Sequence, residues 1–284
     1  MYKVFRVTLS IASLVLLGGS MNAATIYNNL TPNNLMAIAS RTSGAAFEIE
    51  AADDFLLNSG FKVTSASFVG LVVPGQSGTP TVSQVVVEIY RVFPQDSNTV
   101  RIPNVPTRAN SPSDVAFDSR DSAASNLSFS TTVLNASFTA NNSIAAGGIH
   151  PAPNQTTGGA GPVTGQEVQF DISFLTPVDL PSGHYFFVPQ VMLSNGGEFY
   201  WLSASRPISG AGTTPFAPDL QAWTRDAALD PDWLRVGTDI VGGASAPTFN
   251  AAFSLDGTAV PEPSSFLLLS GGLALLVLRR RSKL

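Results

Sequence analysis

The chain of 284 residues contains no cysteine. Disulfides, thiolate nucleophiles and thiolate metal sites are excluded with it. Histidine is nearly as scarce, with only His150 and His184. Catalytic zinc generally takes three protein ligands, which two histidines and no cysteine supply poorly. No Gly-x-Ser-x-Gly elbow occurs, so the turn that presents a hydrolase serine is missing. The calcium-loop pattern Asp-x-Asp-x-Asp-Gly is missing too. Between residues 24 and 261, Lys62 is the sole lysine.

Charge is split unevenly along the chain. The total is 15 Lys and Arg against 20 Asp and Glu. Six of the cations, Lys3, Arg6, Arg279, Arg280, Arg281 and Lys283, sit at the ends. The middle keeps nine cations against all twenty acids when Glu262 is counted, a net charge near −11. Phosphate backbones are bound by clustered Lys and Arg, so nucleic acid is not an expected partner. Such a charge suits repulsion between like copies, or capture of divalent cations.

Both ends read as processing segments. Residues 1–23 have a basic start at Lys3 and Arg6. A mostly apolar stretch, Val7–Leu17, follows and closes at Gly18-Gly19-Ser20. This is the layout of a signal peptide, with signal peptidase as the expected partner and cleavage near Ala23 or Ala24. At the other end, Pro261-Glu262-Pro263 precedes an apolar segment, Ser264–Leu278, and the basic cluster Arg279, Arg280, Arg281 and Lys283. Fifteen helical residues span about 22 Å at 1.5 Å each. A hydrocarbon core is about 30 Å thick, so this transmembrane helix is short. Gly271 and Gly272 weaken it further. The cations place the end of the chain in the cytoplasm and the body outside.

This tail, residues 260–284, resembles the PEP-CTERM sorting signal of Gram-negative bacteria. Its three parts stand in order at Pro261-Glu262-Pro263, Phe266–Leu278 and Arg279–Lys283. The resemblance implies recognition by an exosortase, an integral-membrane peptidase that removes the tail. It also implies coexistence with exopolysaccharide production. The physical reading agrees, because two prolines hold the chain extended for presentation to a peptidase.

The middle, residues 24–259, is rich in turn residues and shows no long helical periodicity. Roughly 235 residues suffice for one large domain with a real core. Period-two alternation marks half-buried strands. In Gln166–Phe174, Val168, Phe170, Ile172 and Phe174 share one face, and Glu167, Gln169, Asp171 and Ser173 the other. Phe61–Val73, Gln84–Phe93, Leu127–Val133, His184–Leu193, Glu198–Ser203 and Ala251–Leu255 read alike, and a short helix is expected over Ala217–Asp226. The expected fold is all-β, a single jelly-roll-like β-sandwich. Asn141–Gly165 and Pro94–Asp121 read as long loops.

Site candidates are sparse, and no catalytic residue is assigned. Glu167 and Asp171 share a strand face but stand about 13 Å apart, too far for paired-carboxylate catalysis. Acidic clusters lie at Asp53-Asp54, at Asp114, Asp118 and Asp121, and at Asp230-Pro231-Asp232. Asp230 and Asp232 are the calcium candidates, against the plainer reading of surface turns. Tyr200, Trp201, Trp223 and Trp233 are candidate glycan contacts, since exposed rings stack on sugars. Burial is the commoner fate of tryptophan.

The expected function is that of an exported, noncatalytic surface or matrix protein, sorted by an exosortase and associated with exopolysaccharide or biofilm. Its expected course is transient anchoring in the membrane, then the cell surface or medium. The alternatives are a secreted polysaccharide-active hydrolase or lyase, and a permanently anchored surface binding protein.

Overall fold

A computed structural model describes residues 23–44, 47–75, 80–96, 110–150, 155–204, 220–229, 233–243 and 249–260. Residues 1–22 of the expected signal peptide 1–23, the motif Pro261-Glu262-Pro263, the apolar helix candidate, the basic cluster and the pair Asp230 and Asp232 lie outside them. Among the described residues no helix is long and apolar enough to cross a membrane.

In chain order the strands are β1 (Ala24–Asn28), β2 (Pro32–Ala39), β3 (Ile49–Leu57), β4 (Phe61–Val73), β5 (Val82–Arg91), β6 (Asp118–Asp121) and β7 (Leu127–Ala140). They continue with β8 (Ser143–Ile144), β9 (Val163–Leu180), β10 (Gly183–Leu193), β11 (Glu198–Ala204), β12 (Trp223–Asp226), β13 (Leu234–Arg235) and β14 (Phe253–Ala259). The fold is all-β, as the alternation required. Trp223–Asp226, expected at the end of a short helix, is a strand paired with β3. Pairing across a sheet overrides the weak local preference of four residues. The acids at Asp118 and Asp121, expected in a loop, lie in β6.

Two sheets result. The first is organised on β4, which pairs with β9 along one side. Its other side is divided, with β14 along Phe61–Phe68 and β11 along Gly70–Val73. β14 carries β1 outside it, β11 carries β2 and β8, and β9 carries β7. The second sheet has the order β13-β12-β3-β10-β5-β6. Among the described strands every pairing is antiparallel except β2 with β8.

Sequence alternation decides what lies between the sheets. Val168, Phe170, Ile172 and Phe174 are buried, as are Val85, Val87 and Ile89 of β5. Register then aligns aromatic rings. Phe68 sits opposite Phe170 on one neighbour and opposite Phe253 on the other. The Phe68 and Phe170 rings stack at 4.8 Å. From the facing sheet, Phe187 stacks on Phe253 at 5.0 Å and leans on Phe68 at 6.3 Å. Phe199 meets Phe170 edge-on at 5.3 Å. Gly70 makes room for that ring, since a Cβ there would overlap the edge of Phe199. Offset and edge-on rings add about 0.5–1.5 kcal/mol per pair beyond area burial.

This one core runs continuously between the two sheets. Two smaller apolar clusters cover the outer faces. Phe138, Ala140 and Val163 lie over Val69, Leu71 and Leu202 of the first sheet, and Trp223, Trp233 and Leu220 cover the second. The segment 24–260 therefore contains every described strand and the whole of its own core.

Phe68→Ala removes the ring that touches both sheets and should lower unfolding free energy by about 3–5 kcal/mol. Ser130→Ala, on an exposed stretch of β7, should change it by less than about 0.5 kcal/mol. Urea unfolding followed by tryptophan fluorescence checks both.

Candidate functional site

Polar chemistry collects on the outer face of the second sheet. Alternation places Glu50, Ala52, Asp54 and Leu56 of β3 on that face. Register sets Arg225 of β12 opposite Glu50, Phe186 of β10 opposite both Asp54 and Tyr90, and Val188 opposite Glu88. Three β-strands thus carry a stripe of ionisable side chains beneath an aromatic cover.

At the centre is an acid pair. Tyr90 Oη lies 2.7 Å from Glu50 Oε1 and 2.8 Å from Glu88 Oε2. The Arg225 guanidinium donates to Glu50, and its Nη2 donates to Tyr90 Oη at 3.0 Å. That guanidinium also sits 4.6 Å from the centre of the Trp233 ring. Glu50 is fully buried and Tyr90 nearly so. A phenol has one proton and can donate to only one carboxylate. The other must bring a proton of its own. Glu88 does so: burial, and then the charge of Glu50, push its pKa up to about 8. Glu48 is also raised, by burial first and Glu50 second, while Gln190 donates to it at 3.0 Å. The Tyr90 phenol is pushed well up by its burial and by Glu50.

A second pair lies at the end of the stripe. His184 Nε2 and Asp54 Oδ2 are 2.5 Å apart, and Asp54 Oδ1 accepts from the backbone of Leu220 at 2.8 Å. Leu56, Arg91, Pro94, Ser182, His184 and Tyr185 help to line a cavity of 440 Å³ beside it. His184 Nδ1 is buried without a hydrogen-bond partner. The histidine–carboxylate half of a triad is therefore present, and no serine hydroxyl within the described residues bonds that imidazole. No group of three metal-ligating side chains occurs among the described residues.

Several sequence candidates are placed differently from expectation. Trp201, Trp223 and Trp233 are 0, 1 and 4 % exposed, so their rings offer no platform to a sugar. Trp201 faces the inter-sheet core and donates to Ala252 O at 2.9 Å. Trp233 donates to Ser113 O at 3.1 Å under the outer cover. Tyr200, on the opposite side of β11 from Trp201, is half-buried against apolar neighbours. Glu167, expected on a solvated face, is buried and accepts from Asn135. Asp53 and Asp54 are buried on opposite faces of β3, Asp53 accepting from the Ala251 backbone at 2.8 Å. None of these positions brings Tyr200 and the tryptophans together at one surface.

Sequence reasoning missed the Glu50–Tyr90–Glu88–Arg225 cluster. Its members are 175 residues apart at the extremes, Glu50 to Arg225. Only register assembles them. The available signal was Glu88 and Tyr90 alternating with Val87 and Ile89 in a strongly β-branched strand.

Comparison with known proteins bears on the C-terminal end. Residues 259–281 match the model of the PEP-CTERM protein-sorting motif. No curated protein and no solved structure matches the chain. The tail is thus a sorting signal that marks the chain for exosortase processing and export to the cell surface or beyond. The match begins where β14 ends. Val260, the residue after that strand, donates its amide to Gly60 O at 2.8 Å.

For Glu88 the pH dependence has a definite sign. Its folded pKa lies above the ordinary carboxylate value of 4.5. The folded state therefore holds more protons than the unfolded state between the two values, and stability falls as pH rises through that window. Glu88→Gln keeps a neutral donor for Tyr90 and removes the penalty. The stability of this variant relative to the parent should grow from pH 5 to pH 9, by about 4 kcal/mol. Urea unfolding of both across that range checks this, and a constant difference would contradict the assignment of the proton to Glu88.

Proposed function

We propose that this chain, which carries a PEP-CTERM sorting motif, is an exported matrix or surface protein whose body acts without catalysis, in association with exopolysaccharide. The observation that carries the proposal is the junction at Val260. The motif begins at residue 259, on the last residue of β14, an interior strand held between β1 and β4. Cutting near Pro261-Glu262-Pro263 removes the tail and leaves every described strand in place. Signal peptidase at the N-terminal end and exosortase at the other would release residues 24–260 as a self-contained unit. On this reading the apolar segment 264–278 holds the chain in the membrane only until it is cut.

The body is proposed to be a β-sandwich of the jelly-roll kind. Two largely antiparallel sheets around a shared core support that description. A net charge near −10 over residues 24–260, nine cations against nineteen acids, favours ionic bridging to acidic polymers through calcium.

The noncatalytic reading is supported by the closure of the acid cluster. In a glycosidase the two carboxyls flank a sugar, at about 5–5.5 Å or 6.5–9.5 Å, in an open cleft. Here Glu50 and Glu88 meet on a single buried hydroxyl under Arg225 and Trp233. A sugar has no access between them. The cluster binds strands β3, β5 and β12 to one another and consumes its own hydrogen-bonding capacity.

Polysaccharide from the producing cells, immobilised on a column, should retain the segment 24–260, more strongly with calcium than with chelator. Incubation with the soluble polymer should release no new reducing ends and no unsaturated uronate. Depolymerisation would replace this reading with the hydrolase or lyase alternative, and failure to bind any acidic or neutral polysaccharide would remove the matrix role.

A further inference from the structure

The long strand β7 lies at an edge of the first sheet. Among the described residues it pairs with β9 alone, so one side of its backbone is left open at the edge of the first sheet. Residues 130–137 are all exposed, with Val133 at 55 % and Leu134 at 44 %. Register holds Leu127 to Val133 in unbroken alignment with β9, from Phe174 to Val168. Irregular pairing begins after Val133. The regular open edge is therefore 127–133.

Exposed edges normally carry devices that prevent pairing: short length, charged side chains, proline or a bulge. Among the described strands the other sheet edges are protected along their whole length, whereas the register irregularities of β7 lie only beyond Val133. β6 is four residues long and contains Asp118, Arg120 and Asp121. β8 and β13 are two residues each, and β1 is five. β7 is 14 residues long and contains no charged residue and no proline. Its sequence over Leu127–Val133, Leu-Ser-Phe-Ser-Thr-Thr-Val, is aromatic and β-branched, the composition that favours strand pairing.

A long uncharged strand edge is matched by another of the same kind, and among the described edges of this chain only β7 is one. Copies of this acidic body repel one another over most of their surface. The neutral edge of β7 is where two of them approach at least cost. An antiparallel pair of identical strands also satisfies its own two-fold symmetry, each residue on one copy meeting its counterpart on the other. We propose that β7 pairs with β7 of a second copy of this chain, joining two eight-stranded sheets into one across a two-fold axis within 127–133. The irregular register beyond Val133 limits the contact to this stretch and closes the assembly at two copies. The inference rests on the fold and is independent of the sorting and matrix reading.

Sedimentation of the segment 24–260 over about a hundredfold range of concentration should show a monomer converting to a dimer. The double variant Thr131→Lys with Val133→Lys places like charges on both sides of the two-fold axis. It should weaken association by at least about tenfold while leaving the circular dichroism of the monomer unchanged. Because the chain has no cysteine, single substitutions such as Ser128→Cys, Ser130→Cys, Thr131→Cys and Thr132→Cys report symmetry directly. Oxidation should link two copies at only one or two positions, those nearest the axis. A monomer at every concentration, or a dimer that no β7 cysteine links, would overturn the proposal. So would a folded lysine variant that dimerises as well as the parent.

Discussion

Phe187 reaches from the second sheet onto Phe253 and Phe68 of the first, and this contact determines much of the rest. Phe170, Phe68 and Phe253 come from three different strands, aligned by register into one row. A body without cysteine has no covalent tie between its sheets, and its stability outside the cell has to come from this interior. The row also fixes orientation. With Phe68 and Phe187 pointing inward, alternation sends Glu88, Tyr90 and Glu50 outward on the second sheet. The acid cluster is a consequence of the same register that builds the core.

That outer cluster shows how much polar chemistry a body can hold without offering it to a ligand. Tyr90 bridges two carboxyls, Arg225 neutralises one and a retained proton neutralises the other. Breaking one partner of such a group leaves a buried charge, which is far costlier than the group's net contribution to stability. The cluster's role is then to hold β3, β5 and β12 in one register under Trp233. The cavity near His184 lies apart from it, at the start of β10, where Arg91, Ser182 and Tyr185 line it together with that histidine.

The strands were legible where period-two alternation ran long. Phe61–Val73 matches β4 end to end, and Gln166–Phe174 lies within β9 with its predicted inner face buried. The short or unevenly patterned strands were not legible: β3 carries Asp53 on its inner face, and β12 is only four residues long. Their pairing partners, far away in sequence, decide them. The tryptophans follow the same logic. Phe199-Tyr200-Trp201-Leu202 shows that one ring must face away from the other, and only the facing sheet reveals that Trp201 is the buried one. The C-terminal signal needed no fold at all, because its three parts are contiguous and chemically distinct. Its junction with the body, at β14 and Val260, is what the structure adds.

The account rests on a chain made to be cut at that junction after export. The most direct measurement is the intact mass of the mature protein recovered from the producing cells. The expected mass corresponds to a chain that starts near Ala24 and ends close to Pro261-Glu262-Pro263, with the segment Phe266–Leu278 gone. A mature surface protein that still contains Phe266–Leu278 would contradict the account and identify a permanent anchor instead.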